Sequence, residues 1–230
     1  MYVYNYRVIK LAKTKAQDLS VIVSALALVA ITPINTDISP SHMLIMAGGL
    51  SLALLAPYFY LRNKPGRQIV FKYNFQSLIN REKIAFVLFG VALSYFIFPI
   101  YFSSTGSYQN WPNTKTAGET ILLFIGTNAL GLWDELFFIN TILTIFRRHA
   151  KFWIANICQA LFFTIFLYEL GFTGWAPLII YPFALIQGYM FMKYKSLGLV
   201  IVTHLSIDFI LFLAILNAHG NLPFKFFISG

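Results

Sequence analysis

Long apolar stretches recur along the whole chain, at about residues 19–34, 43–61, 84–102, 120–146, 152–168, 173–192 and 196–216, each closed by a polar or basic turn. A helix needs about 20 apolar residues to cross a hydrocarbon core some 30 Å thick. Seven such stretches in 230 residues predict an all-α polytopic transmembrane helix bundle of about seven spans. The first stretch is the shortest, roughly 24 Å at 1.5 Å per residue, so it suits a small tilt or a locally thinned bilayer.

Composition matters next because it separates two meanings of positive charge. The chain is 58% hydrophobic, 18% aromatic and 11% charged, with a net charge of +9, and its mean hydropathy is +0.70. Basic residues gathered in short loops beside apolar spans follow the positive-inside rule rather than a nucleic-acid footprint. With a cytoplasmic N terminus, all 17 Lys and Arg except Lys115 and Lys225 fall on one side, and the C terminus faces outward. No nucleic-acid partner is expected; the lipid bilayer is. Cys158 is the single cysteine and lies in an apolar run, so neither a disulfide framework nor a thiolate metal cluster is available. No cleavable signal is expected, because the first run ends at Thr32-Pro33-Ile34-Asn35.

Residues 1–18, with Arg7, Lys10, Lys13 and Lys15, read as a basic amphipathic lead-in; residues 19–216 as one transmembrane helical domain; residues 217–230 as a short extracytoplasmic tail. Gly48-Gly49 invites close helix approach. Residues 68–83 have interfacial rather than spanning character. Asn156, Gln159 and Gln187 are expected to make hydrogen bonds between helices, and His42, His149 and His219 to be ordinary interfacial residues.

Within this apolar setting Asp134 and Glu135 stand side by side, inside Leu132-Trp133-Asp134-Glu135-Leu136-Phe137-Phe138. A charge at the bilayer centre costs about 2.5–3.5 kcal/mol on insertion scales, so intramembrane acids face a protein interior and mark a site or a pathway. His204 and Asp208 lie four residues apart on the last span, hence on one helical face. Counted from the basic turns, the two pairs sit at similar depths. Residues alone leave three readings open: a structural hydrogen-bond clamp, a catalytic site, or an ion or proton path. Chemically, a carboxylate and a histidine can activate a shared water, and one histidine with several carboxylates can also hold a divalent cation. Metal occupancy stays open, and no cofactor is expected.

The order of these residues, with the Lys193-Tyr194-Lys195-Ser196-Leu197-Gly198 turn before the last span, resembles the CAAX-protease and bacteriocin-processing family of intramembrane peptidases, which includes the type II CAAX prenyl endopeptidases. The resemblance covers about residues 120–216. In that family the signature is Glu-Glu-x-x-x-Arg, Phe-x-x-x-His, then His-x-x-x-Asn or Asp. It implies that the first acid, with the first histidine, activates water while the last pair supports an oxyanion. Carried over, the resemblance makes Asp134, Glu135, His204 and Asp208 the catalytic candidates. Ile139 stands in the arginine's place, and Leu167 stands in the first histidine's place when Phe163 is matched to the Phe; Tyr168 or Glu169 substitutes for that histidine only if the fifth helix is shifted or rotated. Loss of a proton-transfer partner costs typically 100- to 10,000-fold in rate. The expectation is therefore a family member with a degenerate site, acting as a scaffold, assembly factor or small subunit with a membrane-protein partner or complex. An active intramembrane endopeptidase is the alternative. A prokaryotic inner membrane is the expected location.

Overall fold

A computed structural model describes residues 2–74 and 80–228, with side chains described from residue 12 onward. Seven long helices follow one another: α1 (Tyr2–Ile31), α2 (Pro40–Leu61), α3 (Arg81–Thr105), α4 (Ala117–Arg147), α5 (Phe152–Leu170), α6 (Pro177–Tyr194) and α7 (Leu197–Ala218). Six of them are long and apolar enough to cross a membrane; α6 is the exception, diluted by Pro177, Pro182, Gln187 and its tyrosines. No strand occurs among the described residues. The architecture is the expected all-helical membrane bundle, and the chain is an integral membrane protein in contact with the bilayer.

Local sequence explains the helix ends. Thr116 and Glu119 form a reciprocal capping box at the start of α4, each side chain accepting from the other's end of the turn. Asn80 caps α3 by accepting from Glu82 N, and Gly106 closes it at φ 69°. Helix α1 runs unbroken from Tyr2, so the basic lead-in and the first span share one helix; the lead-in's side chains up to residue 11 lie outside the described ones.

Pairing is α1 with α2, α3 along α7, α5 along α6, and α4 against α7. Glycines mark the tightest crossings. A Cβ on Gly49 would fall 2.3 Å from Thr32 Oγ1, whereas Gly48 meets nothing, so only one of the two glycines serves the close approach read from the sequence. Asn156 Nδ2 donates to Leu185 O and Gln159 Nε2 to Ala184 O, stitching α5 to α6 as expected.

The segment before α3 departs from a simple interfacial stretch. Residues 69–74 form neither helix nor strand, and the carbonyls of Lys72 and Tyr73 accept from the N–H groups of Leu197 and Gly198, satisfying two orphan donors at the head of α7. Residues 75–79 of the interfacial stretch lie outside the described ones. The same turn is tied to α4, since Arg148 Nη2 donates to the carbonyls of Arg67 and Gln68. Beneath it sits Asp18, fully buried, with Arg67 at 2.6 Å, Arg148 at 3.5 Å and His149 at 2.7 Å. His149 Nε2 is thus within hydrogen-bond distance of a buried acid of α1, a tie that the reading as an ordinary interfacial residue does not include. His219 bridges the carbonyls of Tyr108 and Trp111.

Candidate functional site

Helix α4 carries the acidic pair to a change of winding. It is α-helical through Asp134 and π-wound from Glu135 to Ile142, a stretch that ends with Leu143 N–H reaching back five residues to Phe138 O. Thr141 Oγ1 donates to Leu136 O across the same five-residue interval. Wide turns of this kind are uncommon and recur at functional sites. Here the winding begins at the second acid, and the residues that follow are almost entirely buried, with Trp133 stacked on Phe137 at 4.5 Å and Phe138 edge-on to Phe163. Trp133 Nε1 donates to Leu50 O, anchoring α4 on α2 just before the acids.

Asp134, Glu135, His204 and Asp208 are all brought together, each at most 6% exposed. Glu135 Oε1 accepts from His204 Nδ1 at 2.8 Å and from Gln187 Nε2 at 3.0 Å, and Gln187 Nε2 also donates to Val200 O at 3.2 Å. This fixes the orientation of the imidazole: Nδ1 is committed to Glu135, leaving Nε2 on the other side, 3.7 Å from Asp208 Oδ1. Phe183 and Phe163 close on the ring at centroid distances of 5.4 and 5.9 Å.

The two adjacent acids have different surroundings. Glu135 points away from open space into Gln187 and His204. Asp134, His204 and Asp208 instead line a cavity of about 280 Å³. Asp134 Oδ1 and Asp208 Oδ2 are buried and receive no hydrogen bond from any described residue. The rest of the wall is mostly apolar, with Ser94, Thr127 and Thr203 among it, and Phe89, Gly90 and Leu93 of α3 and Leu178, Phe183 and Ile186 of α6 contribute to it. The polar groups form one wall of a largely apolar chamber.

The position of the missing histidine is also visible. Leu167 lines the cavity, so an apolar side chain stands where the resemblance would place that group. Tyr168 is 47% exposed on the opposite face and Glu169 is exposed too, and neither borders the cavity, which removes both as substitutes. Ile139 is fully buried. Among the described residues, no group of three or more His, Cys, Asp or Glu is arranged to hold a metal ion.

Gln187 was expected only to join helices; its bond to Glu135 makes it part of the site. The signal in the sequence was a lone amide at the middle of an apolar run, which by itself does not say what it faces. Chemically, the arrangement offers an unpartnered carboxylate, an imidazole held by a second carboxylate, and a third carboxylate beside it, all opening on an apolar space.

Neither a curated protein nor a solved structure matches the chain. A family model does: residues 116–210 match the type II CAAX prenyl endopeptidase Rce1-like family, so the part of the chain that builds the polar wall of the cavity is similar to that family.

Proposed function

We propose that the chain is an intramembrane hydrolase of peptide bonds, acting on an apolar or membrane-anchored segment that enters the cavity. The observation that carries the reading is the pair of buried oxygens, Asp134 Oδ1 and Asp208 Oδ2, left without protein donors on a cavity wall. A purely structural clamp satisfies its own groups, because a buried polar atom without a partner costs about 1–3 kcal/mol. A site for water and a carbonyl group keeps such atoms in reserve.

In this reading Asp134 accepts a proton from water as the oxygen adds to the scissile carbonyl carbon. His204 Nε2, its ring aimed by Glu135 and Gln187, donates to the developing oxyanion. Asp208 supports that charged ring. The C–N bond then breaks, and the proton held by Asp134 passes to the leaving nitrogen, so a single carboxylate serves both transfers where the family pattern has a carboxylate and a histidine. An orientation with the N terminus and the basic turns in the cytoplasm belongs to the same proposal.

Leu167 favours a second reading, in which the bundle binds an apolar segment without cutting it and serves as a scaffold or subunit. The two separate in nanodiscs. Purified wild type and the Asp134→Asn and His204→Ala variants are incubated with membrane peptides, prenylated and unmodified, and the products read by mass spectrometry. Cleavage by wild type that drops at least 100-fold in both variants supports the hydrolase. Binding by all three without any cleavage sinks it in favour of the scaffold.

A further inference from the structure

Gly131 lies one turn before Asp134 on the face of α4 that meets α7. A Cβ built on it would fall 1.8 Å from Asp208 Oδ2, 3.0 Å from Asp208 Cγ and 3.3 Å from His204 Cδ2. Gly188 is as tight, with Asn156 Oδ1 1.9 Å from its missing Cβ, but at Gly131 the occupant is a carboxylate of the cavity wall. Asp208 is 6% exposed and Gly131 itself borders the cavity. The volume that any side chain would claim at position 131 is the seat of that carboxylate.

We propose that Gly131 is a positioning residue: the absence of its side chain seats the Asp208 carboxylate against α4, and so sets the spacing of Asp134, His204 and Asp208. Two features of the geometry give this a sign. The clashing atoms belong to the end of a side chain with two rotatable bonds, so an added methyl displaces the carboxylate before it displaces a helix. Asp208 Oδ2 receives no hydrogen bond in its present seat, so apart from the 3.7 Å approach of Oδ1 to His204 Nε2 only packing holds the carboxylate there. An alanine at 131 therefore evicts Asp208 from the wall while α4 and α7 stay together.

The inference deepens the hydrolase reading, because it names what fixes the third group of that site, yet its test needs no turnover. The protein is labelled with ¹⁵N-histidine, placed in nanodiscs, and followed by NMR as pH is varied, in wild type, Gly131→Ala, Asp208→Ala and the double variant. His204 is assigned by its loss in His204→Gln. The expected result is that Gly131→Ala keeps the wild-type unfolding temperature but gives the His204 titration curve of Asp208→Ala, and that the double variant matches both. A Gly131→Ala protein whose His204 titrates as in wild type overturns the proposal. So does one that loses helix packing by the same amount in the presence and absence of Asp208, since position 131 would then matter for the bundle alone. Should turnover exist, Gly131→Ala is expected to lower kcat with KM nearly unchanged; a chain with no turnover leaves the NMR outcome just as decisive.

Discussion

Glu135 and Gln187 decide whether His204 has a fixed direction. Glu135 Oε1 takes two hydrogen bonds, from Nδ1 of His204 and Nε2 of Gln187, so Glu135→Ala strands two buried donors at once. At about 1–3 kcal/mol for each buried group left unpaired, the variant is expected to lose roughly 2–5 kcal/mol in a denaturant or thermal unfolding series in nanodiscs. Glu135→Gln keeps an acceptor oxygen and is expected to lose less than half as much. Equal losses in the two variants would show that the charge of Glu135, rather than its acceptor geometry, holds the ring. At this scale the sequence was informative wherever the relation is local. His204 and Asp208 are one helical turn apart, and their shared face follows from spacing alone. Asp134 and Glu135 announced themselves as adjacent acids in an apolar run. The division of labour between them did not, because consecutive residues on a helix point about 100° apart, and which one meets the cavity depends on how α4 is rotated in the bundle.

The rotation of α4 is set partly by its own winding. From Glu135 to Ile142 the helix is wide, so the residues beyond it are turned relative to where an ordinary helix would carry them. No hydrophobic period of 3.6 reveals such a stretch when every position is apolar. Asn140 sits inside it, 1% exposed, with neither amide atom hydrogen-bonded by a described residue. Deleting Asn140 is expected to return the segment to α winding and swing residues 141–148 by about 100°. That would pull Arg148 off Asp18. Asn140→Ala removes only the unpartnered amide and is expected to be neutral or mildly stabilising. Circular dichroism with thermal unfolding of both variants checks this; a deletion as stable as the substitution would mean that the wide turn does not set the register of α4.

Across the whole molecule, Asp18 joins three parts of the chain. Its carboxylate, 0% exposed, meets Arg67 of the turn after α2 and Arg148 and His149 after α4. The sequence shows an acid at the head of the first span among basic neighbours, but its partners lie 49 and 131 residues away, and no local pattern pairs them. Breaking a buried ion pair by removing one partner costs about 3–5 kcal/mol, so Asp18→Ala is expected to unfold that much more easily, and Asp18→Asn to recover part of it through hydrogen bonds alone. Variants as stable as wild type in an unfolding titration would reduce the cluster to a surface feature. The number of helices and their order were legible from apolar runs. That α6 falls short of a spanning hydropathy is explained by its prolines and tyrosines and by Gln187, which spends its polarity on Glu135.

The strap of residues 67–74 also has a consequence in time. Ser196, at the head of α7, reaches back to Tyr73 across 123 residues, and at about 5–20 residues per second a ribosome needs roughly 6–25 s to make that interval. When it opens only the first two helices have been made, and the acceptor for the last one exists long before the helix that will use it. The polar wall of the cavity is therefore completed only as the final span arrives, so a chain halted before residue 197 carries Asp134 and Glu135 but neither His204 nor Asp208.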